Sequence, residues 1–545
     1  MALRELEQTG DTAATDIVAW PQTLAASEDR TSDSAGVNLG AWTDAFSTRR
    51  LLVFVLLAVI FTLTAGQITD PDFWWHLRTG QLIYETRAIP HADVFSFTAL
   101  GREWVTHEWL AELLLYAIYK WANWGGLVVS FSLVMTAALW LAYRRAVLVA
   151  PHPYVAGAAV LVGALATAPM WGVRPQMLSF LFTSIYVAVL GRYARGGGRA
   201  KSLVWLVPLM LMWVNVHGGY ALGLALVGLT GAGVVLDELM MRGVEGERSW
   251  PERLRPSLKR LWPLVLLFAA CVLVVPLNPN GLRMFSYPFE TLGSHAMHAY
   301  IDEWFTPNFH LVISQPFALL VFATFAALAL SPKRARPSEL LLLCVSGYAA
   351  LRAWRNIPLF ALVAIPLLAE HAWQLLTSRA RFGWLAVADE RRETKKKAWV
   401  QLAFNVVVLV CVPLALCAAN VAKVSARQEA SEAEKYPAAA VEFLRAHEGA
   451  GALYNEYGWG GYLIWKLYPQ RQVYIDGRAD VYGDAFMEEA LGAMAGEREW
   501  RAALERYDVR TVLIKPDVPL ASLLRQDSSW RCVYEDRQAV VFFKQ

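Results

Sequence analysis

The sequence predicts a polytopic α-helical membrane protein of about eleven spans, with a soluble α/β domain at its C-terminal end. Three observations predict this. Apolar residues fill 56% of the 545 positions and charged residues only 18%, where a soluble chain carries about a quarter charged. The charges lie between long apolar runs, as they must when lipid is the solvent, because a span needs roughly 20 apolar residues to cross about 30 Å of hydrocarbon. Beyond position 420 the pattern changes to short β-branched runs alternating with amphipathic stretches. A net charge of +3 is too small for a nucleic-acid-binding surface.

Residues 1–49 are rich in Ser, Thr, Asp and Ala, and are expected to form a disordered cytoplasmic tail. The apolar run 51–68 follows Arg49 and Arg50 and reads as an uncleaved signal anchor. Further spans are expected at 125–143, 153–171, 175–193, 203–216, 219–240, 261–277, 316–331, 338–351, 357–376 and 399–419. The run 107–121 is short and carries Glu108, Glu112 and Lys120, so it is expected to lie along the outer interface rather than cross. Left uncounted, it places Arg144, Arg145, Arg192, Arg195, Arg199 and Lys201 on the cytoplasmic side. The loop 241–260, the turn of Lys333, Arg334 and Arg336, and the loop 377–398 with Lys395, Lys396 and Lys397 fall there too, as the positive-inside rule requires. The expected organisation is therefore the tail 1–49, a transmembrane domain 50–420 with a first external loop 69–124, and an external α/β domain 421–545. The chain would sit in the cell (inner) membrane.

In the last domain, strands are expected at 472–475, 510–515, 530–534 and 539–544, with helices near 435–446 and 484–506. No Gly-rich nucleotide fingerprint follows any of these strands. Cys271, Cys344, Cys411 and Cys417 lie in apolar runs and Cys532 stands alone, so the five cysteines read as packing residues, with no zinc spacing among them.

Polar residues gather on the external side. Asp70, Pro71, Asp72, Phe73, Trp74, Trp75, His76, Leu77 and Arg78 follow the first span directly. Asp70 suits a helix N-cap, Pro71 the first helical position and Asp72 the first turn, where the helix dipole favours a carboxylate. Asp72 and His76 then fall one turn apart on one face. A carboxylate desolvated at the membrane surface has a raised pKa and serves acid–base work, or it holds a metal. Thr106, His107, Glu108, Trp109, Leu110, Ala111 and Glu112 lack the second histidine of a zinc-protease helix, and Glu112 is expected on a solvated face.

The Asp72–Arg78 segment resembles the start of the first external loop in the GT-C superfamily of polyprenyl-phosphate-dependent membrane glycosyltransferases. The likeness extends to oligosaccharyltransferases, protein mannosyltransferases and aminoarabinose transferases. Aligned on His76, Leu77 and Arg78, the family aspartate falls on Asp72, which the resemblance implies contacts the acceptor or a divalent metal, Mg or Mn. The layout over about 50–545 is also similar. The sequence departs from oligosaccharyltransferases at the outer turn 171–175, where they carry metal ligands: here it reads Trp171, Gly172, Val173, Arg174, Pro175. Metal-independent catalysis by Asp72 is the alternative. Their acceptor-peptide motif has only a faint echo in Asn455, Glu456, Tyr457, Gly458 and Trp459.

The resemblance implies a glycosyltransferase moving a sugar from a polyprenyl-phosphate donor to an external lipid, glycan or protein. Asp72 would be the base, oriented by Asp70 and His76. Arg352, Arg355 and Arg174 would bind the donor phosphate, since Arg grips phosphate bidentately. His107, Glu108, His217 and Glu303 are candidate substrate-binding residues. Asp476, Gly477, Arg478, Ala479 and Asp480 read as a salt-bridged turn. Two other classes fit the composition. A flippase of lipid-linked glycans predicts mid-span charge and related halves, neither of which the sequence shows. A non-catalytic scaffold predicts that the carboxylates are dispensable.

Overall fold

The structure is a computed structural model describing residues 48–241, 250–378, 403–447 and 451–545. The predicted tail, apart from its last two residues, and most of the basic segment 377–398 lie outside the described residues. The helices of the membrane domain are α1 Thr48–Thr64, α2 Phe73–Thr86, α3 Trp109–Val149, α4 Pro153–Thr167, α5 Gln176–Ala194, α6 Leu206–Val216, α7 Tyr220–Met241 and α8 Trp250–Val274. After them come α9 Arg283–Gly293, α10 His295–Tyr300, α11 Gln315–Leu330, α12 Pro337–Arg352, α13 Ile357–Thr377 and α14 Val412–Lys435. Among the described residues eight helices are long and apolar enough to cross a membrane, and the apolar segments Leu51–Thr64 and Ala200–Val216 are shorter. A helix therefore stands at every expected span.

Local chemistry sets the boundaries. Proline occupies the first turn of α4, α11, α12 and α13, where its missing N–H costs nothing. α3 is two helices joined at Asn123, whose φ of 52° and ψ of −157° break the ladder. Asn tolerates positive φ better than most residues, and this break separates the segment 107–121 from the span that follows it. α13 is buried without interruption over 360–371, and it packs on α3, α4, α11 and α12. A helix that is apolar all round belongs at the centre of a bundle. α14 runs unbroken from Val412 to Lys435, so the boundary expected at 420/421 falls inside a helix.

The C-terminal domain contains α15 Ala438–Ala446, β1 Ala452–Asn455, α16 Gly460–Leu467, α17 Ala479–Tyr482, α18 Asp484–Met494 and α19 Trp500–Arg506, then β2 Val509–Ile514, α20 Pro519–Gln526, β3 Trp530–Glu535 and β4 Val540–Lys544. Its sheet has the order β1-β2-β4-β3, with β1 parallel to β2 and the other pairs antiparallel. Leu453 pairs with Thr511, and Leu513 with Val541.

Two expectations need correction here. The run 472–475 is no strand of this sheet. Val473 instead bridges the first loop, donating its N–H to Phe95 O at 3.1 Å and accepting from Phe97 N–H at 3.2 Å. The strand at that edge is β1, whose Leu453 and Tyr454 are buried. The helix expected over 484–506 is broken into α18 and α19 around Gly496, which has a φ of 76°, a conformation costless only for glycine.

The bridge at Val473 begins a tight seam between the first loop and the C-terminal domain. Thr98 Oγ1 donates to Tyr474 O at 2.5 Å, and Arg102 Nη1 to Tyr482 O at 2.8 Å. At its centre is Arg478, fully buried. It donates through Nε and Nη2 to Asp476 at 2.8 and 2.6 Å, and through Nη1 to Asp93 at 2.6 Å. A buried cation is tolerable when its donors are matched this completely.

Candidate active site

The seam encloses one side of a cavity of about 630 Å³. It is lined by the first loop, the turns before α5 and α7, the 278–315 segment, the turn before α13 and the 476–480 turn. Asp70 Oδ1 accepts from Asp72 N–H at 2.8 Å, but the helix begins at Phe73 with Asp72 in the N-cap place, two positions later than expected. This bond holds Asp72 at the lip of α2, with Trp75 Nε1 donating to Asp72 Oδ1 at 3.1 Å. The Asp72 side chain stays 31% exposed, which leaves it open to a ligand in the cavity. Gly477 packs on the same carboxylate: a Cβ there would overlap Asp72 Oδ1 and lie 3.3 Å from Trp75 Nε1.

Arg174, from the turn before α5, reaches into this group. Its Nε lies 2.7 Å from Asp70 Oδ2, its Nη2 lies 3.5 Å from Asp72 Oδ2, and its Nη1 pairs with Glu303 Oε1. Burial alone would lower its pKa, but Asp70, Glu303 and Asp72 outweigh burial and keep it charged. Burial raises Asp70 above the usual carboxylate range, Arg174 opposing. Asp72 is pushed up to about 7, first by burial and then by the neighbouring Asp70 charge, with Arg174 again opposing. Burial would also raise Glu303, but Arg174 and Arg355 overcome it and hold that carboxyl below its ordinary value.

The other wall is built from imidazoles around Glu108. His107 Nε2 lies 3.1 Å from Glu108 Oε1, His217 Nε2 3.6 Å from the same oxygen, and His76 Nε2 3.6 Å from Glu108 Oε2. His217 Nδ1 accepts from Gly219 N–H at 2.8 Å and lies 2.7 Å from Ser179 Oγ, which fixes the tautomer with its proton on Nε2. Burial pushes His76 down to about 3 and His217 down to about 4, so both are neutral near pH 7. Burial would lower His107 as well, but its contact with Glu108 outweighs that and raises it. Asp480, raised by burial, and Tyr287 complete this wall, Tyr287 Oη donating to Asp480 Oδ2 at 3.4 Å.

The structure thus brings together Asp70, Asp72, His76, His107, Glu108, Arg174, His217, Glu303 and Arg355 around one cavity. Several roles change. His76 does not orient Asp72: its side chain turns to Glu112, with Nδ1 3.2 Å from Glu112 Oε1. Glu112 is therefore buried and bonded, not solvated, because α2 crosses α3 with Gly80 against the Glu112 backbone. Arg352 lies at the exposed end of α12, off the cavity. Three residues on, the 3₁₀ turn Trp354–Asn356 carries Arg355 into it instead, with its guanidinium 4.4 Å from the centre of the Trp304 ring. Among the described residues no carboxylate lies within ion-pair distance of Arg355, although Glu303 feels its charge, and its guanidinium lines the cavity. The 476–480 turn is salt-bridged as expected, yet Asp480 also lines the cavity. Tyr287 and Ser179 carry no sequence signal that singles them out. A divalent cation at Asp72 does not fit these residues, because the Arg174 guanidinium fills the place among the carboxylates, and among the described residues no other group of His, Cys, Asp or Glu is arranged to hold one.

The fold as a whole has counterparts among solved structures. The apo form of the Archaeoglobus fulgidus oligosaccharyltransferase superposes with a TM-score of 0.52 at 12% identity, covering 86% of this chain and 70% of that one. The chain has the GT-C fold. The same enzyme, AglB, in complex with an inhibitory peptide and a dolichol-phosphate gives a TM-score of 0.51 at 12% identity over 85% of this chain and 69% of its own. ArnT from Cupriavidus metallidurans, bound to undecaprenyl phosphate, gives 0.47 at 13% identity over 91% and 98%. No protein-family model and no curated protein matches the chain. At these identities the likeness is one of GT-C fold, and the chemistry rests on the cavity.

Proposed function

We propose that this protein is a membrane glycosyltransferase that transfers a sugar from a polyprenyl-phosphate donor to an external hydroxyl or amine of a lipid, glycan or protein. The observation that carries the reading is Asp72: a carboxylate raised to about 7, open to a cavity of about 630 Å³ that Arg355 also lines. A base poised near neutrality is efficient at removing a proton from a weakly acidic nucleophile. As the acceptor attacks the anomeric carbon, Asp72 takes its proton. The carbon–oxygen bond to the phosphate breaks and the electron pair leaves with the phosphate, whose charge Arg355 neutralises. Neutral His217 and His76, together with His107, Glu108 and Asp480, form a polar wall suited to sugar hydroxyls. The dolichol-phosphate held by AglB supports a polyprenyl carrier for the donor. The orientation that serves this chemistry has the N-terminus in the cytoplasm and the C-terminal domain external or periplasmic.

The direct test is lipid and glycan profiling of cells lacking the protein, followed by turnover of the accumulated lipid by the purified chain. A lipid-linked sugar should accumulate, and its absence would count against the reading. The pH profile follows from Asp72. The carboxylate acts only when ionised, so kcat/KM should rise with pH through about 7, level off above it, and stand about tenfold below its plateau at one unit lower. A profile flat from pH 5 to 8 would remove Asp72 as the base.

Gly477→Ala tests the packing around that base. The added methyl displaces the Asp72 carboxylate, with an expected loss of about 10²-fold in kcat, since misplacing a catalytic group by 1 Å costs that much. Overpacking should also cost about 1–3 kcal/mol of stability, read by thermal unfolding.

A further inference from the structure

Three carboxylates from distant segments converge on one guanidinium. Asp70 and Asp72 come from the first loop and Glu303 from the 3₁₀ turn Asp302–Trp304. Each nitrogen of Arg174 faces a different one of them: Nε faces Asp70 at 2.7 Å, Nη2 faces Asp72 at 3.5 Å, and Nη1 pairs with Glu303. Gathering carboxylates from separate loops is what a divalent cation does, and here a side chain occupies the centre. We propose that Arg174 is a built-in cation that holds Asp70, Asp72 and Glu303 in place of a metal ion, so that the cavity works without one.

Three features of the arrangement support this, and the proposal rests on reading the cavity as a transferase site. A guanidinium keeps its charge at any working pH and presents its donors in a fixed plane, so it organises all three carboxylates permanently. Its place excludes a dication twice, by volume and by repulsion. It also grips the carboxylates unequally. Asp70 is bound closely, while Asp72, at 3.5 Å, is left free to gain and lose a proton. A bound dication would hold Asp72 ionised across the neutral range and take it out of proton transfer. Arg174 is therefore a positioning residue, and Arg355 remains for the phosphate.

The test is Mn²⁺ binding by the full chain in detergent, followed by electron paramagnetic resonance, alongside turnover with and without EDTA. The wild type should bind no Mn²⁺ at the cavity and keep its turnover within twofold in EDTA. Arg174→Ala removes the guanidinium and leaves three carboxylates facing a vacated centre. It should gain one Mn²⁺ site at least tenfold tighter than anything in the wild type, and lose it again when combined with Asp70→Asn. Mn²⁺ bound by Arg174→Ala should not restore turnover, because the ion takes Asp72 out of proton transfer. Arg174→Gln, which keeps most of the bulk, provides the same comparison if the alanine variant fails to fold. A stoichiometric Mn²⁺ site in the wild type abolished by Asp70→Asn, or EDTA-sensitive turnover, would overturn the proposal, as would a folded Arg174 variant with no gain in Mn²⁺ affinity. The binding arm needs no turnover, so it stands or falls separately from the glycosyltransferase reading.

Discussion

Asp72→Asn is expected to lower kcat by about 10³-fold while leaving the fold and donor binding intact. General-base catalysis contributes about 10²–10⁴-fold, and the amide is nearly isosteric with the carboxylate. It accepts from Trp75 Nε1 as before, so the wall of the cavity should not move. The loss belongs to the chemical step, so single-turnover rates should fall while donor affinity changes little. This variant also separates the three functional classes. A flippase or a scaffold keeps its activity when one carboxylate becomes an amide. A variant retaining more than a tenth of wild-type turnover would show that Asp72 is not the base.

The largest effect on stability is expected from Arg478→Met. The side chain is fully buried, and its removal leaves Asp93 and Asp476 in the seam with no cation. Breaking a buried pair from one side costs about 3–5 kcal/mol, which should appear as a lowered unfolding midpoint in detergent. The same seam carries Gly477 to Asp72 and Asp480 to the cavity wall, so turnover should fall with stability. Adding Asp93→Asn and Asp476→Asn to Arg478→Met removes the stranded charges and should restore a large part of the midpoint. An unchanged midpoint in the single variant would mean that the seam is held by its backbone bridges alone.

Much of this architecture was legible in the sequence because lipid imposes a one-dimensional rule: each crossing needs its own apolar run, and each run was found as a helix. The Asp70–Arg78 segment was legible in part, since an aspartate and a proline in front of aromatics signal a helix start, although the helix begins at Phe73 rather than Pro71. The C-terminal sheet was less so. The run 472–475 has the composition of a strand, but composition does not say which edge it meets, and the edge it met belongs to the first loop.

What the chain determined alone, then, is where its apolar helices lie and that a carboxylate follows the first of them. Tertiary structure decided what that carboxylate does. Arg174 and Glu303 stand 129 positions apart, and Arg478 and Asp93 385 apart. No local pattern brings such residues together. The choice of Arg355 over Arg352, the burial of Glu112 and the approach of Gly477 to Asp72 were likewise settled by which helix face packs inward. The physical reason is that the pKa and partners of an ionisable group depend on burial and on charges within a few ångströms, and those neighbours are supplied by packing between distant segments.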